Sequence, residues 1–172
     1  MHYETYPVRN IYSIKNTISK IISDDGKVDL NEWLIQRFVL QQLDENFQLR
    51  KPAKAKFSGI GAVRNEAEIV WSLIAYVEHK DDNEARQAFD KAIKDIGATA
   101  LNIIPRESLS LKELDSSLDK LMQIKPLLKP RILKCCAGII LHDNEASVKG
   151  VELLRMVSSC LDCPMPPLHG VE

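Results

Sequence analysis

Asp24, Asp25, Asp29 and Glu32 bring four carboxylates within nine residues. Carboxylate oxygens gathered in a turn can hold calcium or magnesium. A twelve-residue calcium loop needs ligands at alternating positions and a glutamate at the twelfth; counted from Asp24, the twelfth residue is Ile35. The same residue types serve as helix caps and turn formers, and that is their expected role. No metal is expected, and Asp24, Asp25, Asp29 and Glu32 are the candidate ligands if one binds. His142, Asp143 and Glu145 form a second acidic turn of the same kind.

Cysteine offers a second chemistry. Cys160-Leu161-Asp162-Cys163 is a C-x-x-C pair, with Cys135-Cys136 upstream, and four thiolates can bind zinc. Adjacent helical residues, however, project about 100° apart, so Cys135 and Cys136 are poorly placed to face one ion. Cysteine is also among the most buried residue types, and a redox role for C-x-x-C requires a preceding strand that the pattern lacks. His2, His79, His142 and His169 form no H-E-x-x-H motif, and neither a glycine-rich phosphate loop nor G-x-S-x-G occurs. Catalytic residues and cofactors are therefore expected to be none.

The elements that position these residues are helical. With 172 residues, 45% apolar and 27% charged, the composition is that of an ordinary globular protein. The formal net charge of -1 gives no global footprint for nucleic acid. No apolar run approaches the ~20 residues that span a bilayer, and no secretory signal opens the chain. Four cysteines without such a signal point to reduced thiols in a cytoplasmic setting.

Steps of three and four through Ile11, Ile14, Ile18, Ile21 and Ile22 predict a first helix. Gly26 ends it, and Asp29 with Glu32 makes a capping-box spacing for a second helix, with Leu30, Trp33, Leu34, Phe38 and Leu43 inward. Arg50, Lys51, Lys54 and Lys56 surround Pro52 in a basic connector. It is a solvated loop on the ordinary reading and a contact for anionic lipid headgroups on the sharper one.

A third helix over about Asn65 to His79 turns Ile69, Val70, Leu73, Ile74 and Val77 inward, and a fourth turns Ala85, Phe89, Ala92, Ile93 and Ile96 inward before Gly97 stops it. Leu101, Ile103 and Ile104 tuck under the helices. Ser110 and Glu113 box the start of a fifth helix, Pro130 opens a sixth, and Ser147 caps a seventh with Val148, Val151, Leu154, Val157 and Leu161 inward. No segment alternates with period two, so no sheet is expected. The first and last helix pairs echo each other: Asp25-Gly26 aligns with Asp143-Asn144 and Asp29 with Ser147. Asn144 replaces Gly26 because Asn tolerates the left-handed conformation.

Leu127-Leu128-Lys129-Pro130-Arg131, Asp143-Asn144, Glu152-Leu153-Leu154-Arg155 and Cys163-Pro164-Met165-Pro166-Pro167-Leu168 resemble the C-terminal region of bacterial membrane-bound zinc metalloproteases of the HtpX-like class. That region is itself similar to the TerB-like (tellurite-resistance) helical domain. Asp25-Gly26-Lys27-Val28-Asp29-Leu30-Asn31-Glu32-Trp33 resembles its upstream helix-turn-helix. Two departures stand out: Asn144 where the pattern usually has Gly, and Gly150 where it often has an acidic residue.

The expected architecture is all-α, with about seven helices and two similar TerB-like hairpins packed with the middle helices. Residues 1–9 are an extension, 10–168 one helical domain and 169–172 a tail. The resemblance implies a non-catalytic, cytosol-facing accessory domain working by protein–protein contact. Its partners are the upstream protease and membrane domains of its parent chain, with a protein substrate or a second copy as further partners. It implies no nucleic acid, and a place at the cytoplasmic face of the inner membrane only through the parent protein. The alternative is a divalent-metal-binding TerB-like sensor.

Overall fold

In a computed structural model the described residues are 13–17, 29–47, 49 and 53–168. They form seven α-helices and no strand, the all-α architecture that the periodicity predicts. The chain divides into two units, Met1–Pro52 and Ala53–Glu172.

In the first unit, residues 13–17 are helical (α1) and Leu30–Asn46 forms α2. Asp29 and Glu32 build the expected capping box. The Asp29 carboxylate accepts the Asn31 and Glu32 backbone N–H groups at 2.7 and 2.9 Å, and Glu32 accepts that of Asp29 at 3.0 Å. Lys15 pairs with Asp44. Of the α2 residues expected inward, Trp33 is buried and Leu30, Leu34 and Leu43 are half-buried, whereas Phe38 is 48% exposed and the polar Gln41 is buried. Apolar residues occur on every side of this helix, so periodicity does not select one face.

The second unit is arranged around α3, Arg64–Glu78. Eight of its fifteen residues are buried, as expected of a helix enclosed on most sides. Around it lie α4 (Asp82–Asp95), α5 (Leu111–Leu121), α6 (Lys129–Ile140) and α7 (Val148–Cys160). Asp81, Ser110 and Ser147 each cap the following helix by accepting backbone N–H groups.

Gly97, with φ +62°, closes α4: its N–H reaches the Lys94 carbonyl and that of Ala98 the Ile93 carbonyl, the Schellman arrangement. Arg131 at the start of α6 reinforces this end, its Nε donating to the Ile96 carbonyl at 2.9 Å. Of the α3 and α7 residues expected inward, Leu73, Val77 and Val151 are half-buried, and Val148 is 79% exposed. Leu154, Val157 and Leu161 are buried as expected, and Leu153, Met156 and Cys160 complete the buried face of α7.

Two polar residues on α3 organise the connector that follows α4. Glu68 accepts the Asn102 N–H and Ser72 accepts the Ile104 N–H, each at 2.9 Å. Four residues of helix rise about 6 Å and two of extended chain about 6.6 Å, so the two spacings match. Ile103, between the tethered residues, is buried, and Leu101 and Ile104 are half-buried, close to the expected tuck. Further along, Phe57 and Ile124 form an isolated parallel bridge, with Lys56 and Phe57 donating to the Gln123 carbonyl and Lys125 to that of Phe57.

Candidate functional site

Polar groups from three helices meet where α3 ends against the α6–α7 hairpin. Leu141 follows the last turn of α6, and Asn144 takes φ +64° in the ensuing turn. This is the left-handed position that its alignment with Gly26 predicts; Gly26, like Asp24 and Asp25, lies outside the described residues. The Asp143 carboxylate accepts the Glu145 N–H at 3.1 Å, a local turn bond. Asp143, Asn144 and Glu145 are exposed.

Ser147 then caps α7, its Oγ accepting the Gly150 N–H at 3.0 Å. In a reciprocal capping box the third residue of the helix supplies a carboxylate for the N-cap N–H. Here that residue is Gly150, and the carboxylate arrives from another helix. Glu78, the last residue of α3, accepts the Ser147 N–H at 2.6 Å and its hydroxyl at 2.8 Å. A Cβ on Gly150 would lie 1.9 Å from Glu78 Oε2. The glycine therefore makes the room in which the box is completed in trans. A carboxylate is also the charge that a helix N-terminus favours.

His79 follows Glu78 and is 4% exposed. Its Nε2–H donates to the Ile139 carbonyl at 3.0 Å, and its ring stands edge-on to His142 with centroids 5.8 Å apart. The His142 Nδ1 is buried with no hydrogen-bond partner among the described residues. Glu78 and His79 thus tie α3 to both arms of the hairpin, a role that spacing within the hairpin alone does not reveal.

The cysteines do not converge on an ion. Cys135 and Cys136 are fully buried, Cys160 is buried and Cys163 is half-buried; none forms a disulfide. Burial pushes the Cys135 thiol far above its usual range, with Cys136 and Asp95 adding to the effect. Burial also pushes Cys136 up to about 12, while a hydrogen bond from Trp71 opposes it. Neighbours on α4 and α3 respectively match the divergent projection expected of adjacent helical residues. Burial raises the Cys163 thiol too, against the opposing charge of Lys129 and with a smaller push from Asp162.

Asp162 itself takes φ +50° and forms a second Schellman end, its N–H on the Ser159 carbonyl and that of Cys163 on Ser158. The middle of the C-x-x-C sequence is thus a helix stop. Among the described residues, no three His, Cys, Asp or Glu side chains gather as metal ligands. Of the four candidate ligands at the first turn, Asp29 and Glu32 hold backbone N–H groups. No helix of the described residues is long and apolar enough to cross a membrane. No protein-family model, curated protein or solved structure matches the chain.

Proposed function

We propose that this chain is a non-catalytic, TerB-like interaction module, the accessory domain of a membrane-bound zinc metalloprotease, acting at the cytoplasmic face of the inner membrane. The resemblance in the C-terminal third supplies the family. The observation that carries an interaction role is the braced α6–α7 hairpin: Glu78 and His79 fix both arms from α3, while Val148, Asp143, Asn144 and Glu145 face solvent at its tip. A rigid tip with an exposed apolar residue beside acidic ones can present a docking surface at little ordering cost. Asp143, Glu78 and Ser147, whose side chains could otherwise serve chemistry here, each hold a backbone N–H group.

Binding of the purified chain to the catalytic half of an HtpX-like protease tests this reading, with Val148→Glu as the surface variant. Saturable binding weakened about tenfold or more by Val148→Glu is expected, the scale of a well-placed interface side chain. Absence of binding, or peptidase turnover by the purified chain itself, overturns it.

A further inference from the structure

We infer that the face formed by the Phe57–Ile124 bridge and the start of α6 docks directly on an anionic lipid bilayer. The bridge sets Lys56 beside Gln123 and Lys125 beside Phe57 through the backbone bonds Lys56 N to Gln123 O, 2.7 Å, and Lys125 N to Phe57 O, 2.9 Å. Because side chains alternate across a paired segment, Ile124 is buried and Phe57 half-buried, while Lys56 and Lys125 are exposed. Lys54, two residues before Lys56, is exposed as well. Among the described residues, none of these three ammonium groups is in an ion pair. Lys120 reaches over the Phe57 ring and is neutralised by Glu66 at 2.6 Å.

Between Lys125 and Lys129 stands Leu127, 91% exposed, the most exposed large apolar side chain among the described residues. It projects from the short 3-10 turn Pro126–Leu128, with prolines at 126 and 130 stiffening the backbone on either side. The first turn of α6 carries no acid, and Lys129 there opposes the helix dipole, so helix stability does not account for this charge.

An aliphatic knob flanked in the chain by Lys125 and Lys129, next to a bridge that carries Lys56, matches the boundary of a bilayer. The leucine enters the acyl region while the lysine stems lie along it and their ammonium groups stay with the headgroups. Nucleic acid would instead reward arginine forks and stacking aromatics, and an acidic peptide would leave Leu127 in water.

The opposite end of α6 carries the hairpin tip with Asp143 and Glu145. Twelve helical residues place it about 18 Å away. Docking by the basic end therefore points the acidic tip away from the membrane. This inference does not rest on the protease reading, since it concerns direct contact between this chain and lipid.

The test is co-sedimentation of the full chain with phosphatidylcholine vesicles, with and without about one-third phosphatidylglycerol. One lysine near an anionic surface is worth about fivefold in partitioning, so Lys56→Glu with Lys125→Glu lowers binding at least about 25-fold. Leu127→Ser lowers it about tenfold. Both sites are exposed, and unchanged circular dichroism verifies folding. Binding to anionic vesicles alone, lost in high salt and weakened by both variants, is the expected result. The inference is overturned by failure to bind anionic vesicles at low salt, or by equal binding to neutral ones. It is also overturned if an oligonucleotide or polyglutamate binds more tightly than vesicles with no effect of Leu127→Ser.

Discussion

The trans-completed cap at α7 makes a prediction that changes sign with genetic background. Glu78 accepts two bonds from Ser147, at 2.6 and 2.8 Å. Bonds to a charged group contribute about 1.5–3 kcal/mol each when buried, and loss of a helix cap costs ~1 kcal/mol. Glu78 is half-buried, so Glu78→Ala is expected to cost about 2–3 kcal/mol in total. At roughly 2–4 °C per kcal/mol for a chain of this size, Tm falls by about 4–12 °C.

Gly150→Glu brings the missing carboxylate back in cis. In the wild-type background its Cβ meets Glu78 Oε2 at 1.9 Å, expels that carboxylate and sets two like charges together, costing about 1–2 kcal/mol. With Glu78→Ala already in place the clash is gone, and the carboxylate introduced at position 150 can take the Ser147 N–H itself, recovering ~1 kcal/mol. Urea denaturation of the four proteins in this double-mutant cycle measures the coupling. A Gly150→Glu effect of the same sign and size in both backgrounds refutes the shared-cap reasoning.

Three further outcomes follow from the backbone and the buried groups. Ala100 and Asp162 hold φ of +60° and +50°, so Ala100→Gly and Asp162→Gly each raise stability by about 1 kcal/mol, and Asn144→Gly by less; thermal melts check the order. Glu68→Ala and Ser72→Ala each remove one acceptor of the 101–104 segment, cost about 1–2 kcal/mol and open that segment to limited proteolysis. For the thiols, the folded chain holds protons that the unfolded chain releases near the ordinary value of 9.0. Their contribution is intact below pH 9 and is lost as pH rises from there towards about 12 for Cys136, at up to about 1.4 kcal/mol per pH unit per thiol. Urea midpoints under reducing conditions, below and above pH 9, should fall less steeply in Cys136→Ala.

What the sequence displays well is whatever depends on neighbouring residues. Asp29 with Glu32, Asp81, Ser110, Gly97 and Asn144 act through bonds or backbone angles within one turn, and each sits where its residue type predicts. The Ser110 box is half formed: Ser110 Oγ accepts the Glu113 N–H at 3.2 Å and donates to Glu113 Oε2 at 2.9 Å, so Glu113 takes a hydroxyl in place of a backbone N–H. Features that join distant segments are not visible in spacing. Glu78 looks like any helix-terminal acid until α7 meets it, and Gly150 looks like a defect in the cap until Glu78 fills the gap. Glu68 and Ser72 interrupt the apolar face of α3 for the sake of a connector some thirty residues later. Asp162 is a residue type that tolerates the left-handed conformation it adopts, but the cysteines on either side point to thiol chemistry rather than to a helix stop. In α2, eight apolar residues distributed around the helix left the buried face undetermined.

The matching of a helical turn to two extended residues at Glu68 and Ser72 also governs where this chain can change length. Adding one residue within 101–104 would move Ile103 off its buried side and separate two N–H groups from their acceptors together. A loop by position, this stretch has the indel intolerance of a core helix. Insertions, epitope tags or new chain termini belong on either side of it, in the exposed residues 99–100 or 105–108, where lengthening leaves both anchors in register.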